Sequence, residues 1–348
     1  MLEKTHYTIS INIRTFNEEA KIASAIKSSL KEIEGLVGGT GEVIIVDSLS
    51  TDNTVNIAQQ FPVRIVQFTH REDCNCGAAV QLGYQHAKGD FIYVLDGDME
   101  FVPGFINIAL EKLLNNPTLA GVGGIIKDTQ ILTMGDRIRA NQLYNFSNDY
   151  FVNELGGGGL YRRSAIESVG YLGHQGLRAF EEADLGFRLT AQGWKMLRLA
   201  CPAVLHTGHN ESTFEMFRRL WQNKKAFDCG TLVKIAFGKP WFTLTLKKQW
   251  YVFVLPALLI ISLIASGILY KLNENVFSFF SSMFLIYFGL WGIIFLLMSY
   301  RKHSLKLGLF SIVSWHYSSI AATIGILQNL ADPYRLIQSQ EILFTQEK

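Results

Sequence analysis

The sequence predicts an α/β protein, a mostly parallel sheet covered on both faces by helices, followed by a set of C-terminal apolar helices. Three observations carry that expectation. Strand-like and helix-like segments alternate over the first 130 residues. The strand-like segments are continuous apolar runs, as in parallel strands buried on both sides. Charge then thins after residue 250: the last 98 of the 348 residues hold ten of the 62 Asp, Glu, Lys and Arg.

Taken in order, YTISINI (7–13) reads as a strand and EEAKIASAIKSSLKEI as a helix, with apolar positions recurring at helical spacing. EVIIVD (42–47), VRIVQF (63–68), DFIYVLD (90–96) and AGVGGII (120–126) read as further strands. Helices are expected near 52–60, near 76–87, and after Pro103 to about residue 115. In open α/β sheets ligands bind beyond the carboxyl ends of the strands. The candidate ligand-binding groups are therefore Thr15, Asn17 and Glu18 after the first strand, Asp47 at the end of the second, and Asp96 and Asp98 at the tip of the fourth.

Residues 251–270 (YVFVLPALLIISLIASGILY) are twenty uncharged positions, the length a helix needs to cross a hydrocarbon core of about 30 Å. Residues 276–300 are uncharged as well. Residues 307–331 also lack formal charge but include His316, Gln328, Asn329 and several Ser and Thr. A buried core helix would be shorter and amphipathic. Two spans are expected, and 307–331 is read as a third, with an interfacial or bundle-packed helix as its alternative. Lys247 and Lys248 precede the first span, and Arg301, Lys302 and Lys306 follow the second. That asymmetry places the N-terminal region in the cytoplasm, on a multi-pass protein of the inner (cytoplasmic) membrane. The expected organisation is a cytoplasmic domain over 1–230, an interfacial segment over 231–249 mixing Lys with Trp and Phe, a membrane region over 250–331 and a tail over 332–348.

Hydrophobic residues at 49% exclude a disordered chain, and a net charge of +2 excludes a strongly basic nucleic-acid binder. Four cysteines in a chain this long are no disulfide framework. The opening MLEKTHYTISIN has no apolar stretch of the kind that begins a cleaved secretion signal. His70, Cys74 and Cys76 lack a second ligand pair at zinc spacing. The Gly156–Gly159 run lacks the Lys and Thr of a phosphate loop; it reads as a place for close approach of an acceptor, or as a tight strand end.

The segment VLDGDME sets Asp96 and Asp98 two residues apart around Gly97. Alternating geometry points both carboxylates the same way, and their mutual repulsion calls for a cation. Mg²⁺ or Mn²⁺ would relieve it and still have positions for water and a diphosphate.

Here the chain resembles family 2 of the glycosyltransferases, the inverting enzymes of the GT-A fold that act on nucleotide-diphospho-sugars. INIRTFNEEAKIASAIKSSL looks like the opening strand, turn and helix, and EVIIVDSLSTDNT like the second strand with its nucleotide-binding turn. CNCGAAVQLGYQHAKGDFIYVLDGD resembles the helix and strand that lead to a metal-binding D-x-D. GGGGLYRRSAIESVGYL and AFEEADLGFRLTAQGWKM resemble the acceptor-side segment and the acidic motif with its following helix.

The resemblance implies a nucleotide-sugar pocket formed by Thr15, Asn17, Glu18, Asp47, Gly77 and Asp96. It implies a divalent metal held by Asp96, Asp98 and His206, and Glu182 as the catalytic base, with Glu181 beside it. Arg14 stands where the family often has proline, and Cys76 where Lys or Arg is frequent. The implied activity is transfer of a sugar from a UDP- or GDP-sugar to a lipid-linked or polysaccharide acceptor, with membrane lipids as further partners. His209 is a weaker ligand candidate. A structural pair, Asp184 with Arg188, is expected on the helix that Glu182 opens. MFRRLW (216–221) does not match the Q-x-x-R-W motif of processive synthases and reads as an interfacial patch. A processive synthase, a nucleotidyltransferase and a non-catalytic component of a glycan assembly complex are the competing readings.

Overall fold

A computed structural model of the chain describes residues 6–131, 136–137, 146–208, 211–273 and 276–343. His209 lies outside them. The chain divides into two folded units, one made of residues up to Lys225 together with those from Leu330 onward, the other spanning Ala226–Asn329.

The first unit is a mixed sheet sandwiched by helices. Strands β1 (Tyr7–Thr15), β2 (Gly39–Asp47), β3 (Arg64–Phe68) and β4 (Phe91–Asp96) alternate with helices α1 (Ile22–Glu34), α2 (Thr54–Ala58) and α3 (Cys76–His86). All pairings among these four strands are parallel, in the order β3-β2-β1-β4. The chain thus winds to one side of β1 and then returns to the other. That reversal leaves a crevice above the carboxyl ends of β1 and β4, where ligands of such sheets bind.

Alternate residues on these strands serve two separate cores. Ile9, Ile11, Ile13, Val43, Ile45, Tyr93 and Leu95 face one, covered by α1 and by α4 (Phe105–Asn115). Ile44, Val46, Val66, Ile92 and Val94 face the other, covered by α3, α5 (Arg163–Ser168) and α6 (Glu181–Ala191). Each Ile of β1 is fully buried, and each such side chain contributes roughly 1.5–3 kcal/mol.

Beyond β4 the sheet departs from the parallel pattern expected. Short β5 (Met99–Phe101), β6 (Leu119–Asp128), β7 (Tyr150–Val152), β8 (Gly159–Arg162) and β9 (Lys195–His206) extend it, with only β6 and β9 paired parallel. Each antiparallel pair here joins strands that are not consecutive in the chain, so no local alternation signals the pairing. Strand β10 (Ser339–Ile342) closes the opposite edge, antiparallel to β3. The amphipathic α7 (Thr213–Gln222) starts with a capping box in which Ser212 and Glu215 satisfy each other's backbone N–H groups.

The second unit is helical throughout its described residues: α8 (Asp228–Ala236), α9 (Phe242–Lys248), α10 (Val254–Asn273), α11 (Val276–Arg301) and α12 (Leu305–Leu327). Three stretches, Trp250–Lys271, Phe277–Arg301 and Leu305–Leu327, are long and apolar enough to cross a membrane, with mean hydropathy of 2.7, 2.1 and 1.3. Helices α8 and α12 meet backbone to backbone. A Cβ at Gly230 would come within 1.9 Å of the Ala322 carbonyl oxygen, and one at Gly325 within 1.9 Å of that of Phe227. Small residues at close contacts are how apolar helices pack where water supplies no driving force.

Candidate active site

A cleft of about 660 Å³ opens above the β1/β4 reversal, lined by residues of the first unit that include Arg14, Thr15, Asn17, Glu18, Asp96 and Asp98. Register alone explains much of this. Arg14 lies opposite Asp96 in the β1/β4 ladder and Thr15 opposite Asp47 in the β1/β2 ladder, so side chains far apart in sequence leave the sheet together.

Arg14 organises one corner. Its guanidinium pairs with Asp96 and with Glu181, and its Nη2 lies 3.5 Å from Glu182 Oε1. Burial would pull the Arg14 pKa down, but Asp96 and then Glu181 more than offset it, and the group is held charged. Glu181 and Glu182 are the first residues of α6, where exposed N–H groups and the helix dipole favour negative charge. Phe180, just before them, adopts a left-handed φ of 66°. For a bulky residue that conformation is strained, and such strain collects at functional turns. Burial and the neighbouring Glu181 raise the pKa of Glu182, against the opposing pull of Arg14. The Gly157 N–H reaches Glu182 Oε1 at 3.4 Å, with Gly157 itself at φ 70°. The expected pair Asp184 and Arg188 is present, buried, with Nε to Oδ2 at 2.9 Å.

A second corner holds Asp98 and His206. Their Oδ2 and Nε2 are 3.5 Å apart. This is close to the about 3 Å between neighbouring ligands of an octahedral ion with bonds of about 2.1 Å. The other ring nitrogen, Nδ1, lies 2.7 Å from Asp128 Oδ1, which turns Nε2 toward Asp98. A carboxylate behind an imidazole is the usual support of a metal-ligating histidine. Among the described residues no group of three or more His, Cys, Asp or Glu gathers to hold an ion unaided. Asp98 and His206 would supply two ligands of an ion whose remaining ligands came from water or a bound molecule. Burial, and then Asp98, raise the pKa of nearby Glu18 against the opposing pull of Lys21, 3.3 Å away.

The remaining predicted residues divide. Thr15 is on the cleft wall, and its buried hydroxyl has no hydrogen-bond partner. Asn17 faces the cleft at φ 55°, but its side-chain oxygen accepts the Thr51 N–H at 2.8 Å, clasping the first turn to the second. Asp47 is fully buried beneath the cleft; one oxygen accepts from Ser50 N and Gln67 Nε2, and the other has no partner. Gly77 is also off the wall. It donates to the Leu177 carbonyl, and a Cβ there would come within 2.2 Å of the His174 carbonyl oxygen, so glycine is required for packing of α3 against that loop. Cys76 lines the cleft with its thiol pKa raised by burial, a neutral group.

Sequence reasoning missed Asp128 as a support, although β6 ends in Asp as β2 and β4 do. It missed the cations Arg71, Arg178 and Lys225 that share the cleft with Arg14 and Arg219. It also missed the flat wall where the Arg71 guanidinium stacks 4.3 Å over the Phe16 ring. Asp128→Asn is expected to weaken Mn²⁺ binding by about 10- to 100-fold with the fold unchanged, measured by calorimetric titration. Unaltered affinity would leave Asp128 a purely structural partner.

A mixed sheet with a switch-point cleft, paired carboxylates at a strand tip and an acidic helix start across from them define a GT-A type domain. Residues 10–170 match the family model Glycosyl transferase family 2. Curated relatives are named undecaprenyl-phosphate 4-deoxy-4-formamido-L-arabinose transferase. That of Edwardsiella ictaluri is 27% identical over 29% of this chain and 32% of its own length. That of Shewanella sediminis is 28% identical over 27% and 30%. The chain thus spans about a third of the length of these relatives. Among solved structures, a mannosyltransferase, PcManGT from Pyrobaculum calidifontis in complex with GDP-Man and Mn²⁺, superposes over 93% of this chain and 88% of its own, with a TM-score of 0.57 and 17% identity. This likeness confirms the fold.

Proposed function

We propose that this protein is an inverting glycosyltransferase that moves a sugar from a UDP- or GDP-sugar to a lipid-linked or glycan acceptor at the cytoplasmic face of a membrane. The observation that carries the proposal is the Arg14 bridge, which ties the carboxylate of the β4 tip to the acidic start of α6, so that donor-binding and base groups occupy one corner. The relatives named as undecaprenyl-phosphate transferases support a polyprenyl phosphate or its derivative as acceptor. The helices of the second unit support a substrate held in lipid.

In this reading Thr15, Asn17 and Glu18 line the nucleoside side of the cleft, with Asp47 and Gly77 holding the loops beneath. The Phe16–Arg71 wall offers a base a stacking face. Asp98 and His206, with Asp96 near the ribose, would hold a divalent ion that neutralises charge on the departing diphosphate. Arg178, Arg219 and Lys225 add positive charge at the rim, where a diphosphate or an acceptor phosphate is favoured. With a hydroxyl acceptor, Glu182 takes the proton from the attacking oxygen, its raised pKa matching a proton acceptor near neutral pH. Attack opposite the leaving group inverts the anomeric centre with that single base.

The test is a screen of radiolabelled UDP- and GDP-sugars with the full chain in membranes, with and without chelator. Chelator-sensitive transfer of label to the lipid or glycan fraction is expected. Conversion of the label to sugar 1-phosphate only when pyrophosphate is added would favour nucleotidyl transfer, and a long polymer would favour a processive synthase.

A further inference from the structure

Residues 226–329 leave the first unit at Lys225 and rejoin it at Leu330. The rejoining segment is built into that unit. Strand β10 adds four residues to the edge of β3, and Glu341 pairs with Arg64 at 2.7 Å. Arg335 pairs with Asp73, Ile337 is 2% exposed, and Gln85 Oε1 accepts the Ile337 N–H at 3.2 Å. A folded unit lies on one side of a membrane. The intervening segment must therefore cross an even number of times, although it carries three helices long and apolar enough to do so.

We infer that the chain crosses the membrane twice, through α10 and α11, and that α12 is a lipid-bound helix seated in the leaflet on the side of the first unit. Helices α8 and α9, of nine and seven residues, are about 13 and 10 Å long and cannot supply a further crossing of about 30 Å. Helices α10 and α11 are joined by a two-residue link and have the higher mean hydropathies, 2.7 and 2.1 against 1.3 for α12. Their outer flanks carry Lys247 and Lys248 at one end and Arg301, Lys302 and Lys306 at the other, so a hairpin of these two satisfies the charge rule at both ends.

Helix α12 has two faces that suit this role. Gly308, Ser311, Ser319, Ala322 and Gly325 are buried, against α11 and α8 among others. Leu305, Leu309, Val313, Ile320 and Leu327 form an exposed apolar stripe, the surface that lipid chains would cover. Were α12 to cross, residues 330–343 would emerge opposite the first unit, and β10 with its ion pairs could not form.

The inference rests on the membrane part of the proposed function and not on the transfer reaction, so its test reads topology alone. In the full chain with its four cysteines changed to Ser, Lys271→Cys, His303→Cys and Asn329→Cys are treated in intact cells with a membrane-impermeant maleimide, then again after permeabilisation. Lys271→Cys should react from outside, and the other two only after permeabilisation. In parallel, green fluorescent protein fused after Lys348 of the unaltered chain should fluoresce in a bacterial host, since it stays in the cytoplasm. Outside labelling at Asn329→Cys, or a dark full-length fusion, would mean three crossings. A membrane-bound protein whose Lys271→Cys is shielded from outside would mean none. Either result overturns the inference, and neither bears on glycosyl transfer.

Discussion

Glu182→Gln is expected to lower kcat/KM by about 10²- to 10⁴-fold toward a hydroxyl acceptor while donor binding stays near normal. The amide keeps the size and the contact with Arg14 but cannot accept a proton. A hydroxyl is far too weak an acid to attack unaided, so loss of the base falls on the chemical step. A lipid phosphate is already ionised near neutral pH, and with that acceptor the loss should stay under about tenfold. The size of the effect therefore reports the class of nucleophile. A near-normal rate with both acceptor classes would remove Glu182 from the mechanism. The pH profile follows from the same environment. Burial and Glu181 raise the Glu182 pKa above the ordinary 4.5, and the base works only as carboxylate. In the wild type, kcat/KM should climb with pH along a limb well above the usual carboxylate range, and that limb should vanish in Glu182→Gln. A limb lying near pH 4.5 would mean that the free enzyme does not hold Glu182 above the ordinary carboxylate range.

Asp98→Asn should abolish most metal-dependent binding of UDP or GDP and reduce turnover by about 10²- to 10³-fold. The substitution removes the charged oxygen that lies 3.5 Å from His206 Nε2 and leaves the shape of the β4 tip intact. Asp96 cannot simply replace it, because Arg14 already engages that carboxylate. Calorimetric titration with Mn²⁺ and nucleotide reads the effect without any turnover. Wild-type affinity in the variant would show that the ion, if one is used, is held elsewhere in the cleft.

These groups were not equally legible. Asp96, Asp98 and Glu182 sit in short motifs whose neighbours repeat the same signal, an apolar strand ending in carboxylates or an acidic helix start. His206 was readable because it follows a short apolar run, but its orientation was not: Asp128 is 78 residues away and meets it only through the β6/β9 register. Arg14 could be seen as a cation at the end of β1, yet its contacts with Asp96 and Glu181 span 82 and 167 residues. Asp47, at the end of β2, and Gly77, in the first turn of α3, were expected in the nucleotide pocket, and packing puts both beneath the cleft wall.

By itself the sequence determined the alternating strands and helices of the first half, the apolar helices of the second, and the residue types able to bind a nucleotide and accept a proton. Those features are written in periodicity and short spacing, which depend on neighbours within a few turns. Only the tertiary structure decided the strand order that opens the cleft beside β1, the register that brings Arg14 to Asp96, and the return of residues 330–343 to the first unit. The SQEI segment of β10 has no apolar alternation to announce a strand; it pairs because the edge of β3 offers unfilled hydrogen bonds. Long-range pairing of this kind is set by which edges and faces remain unsatisfied after the rest has folded, and no local pattern encodes it.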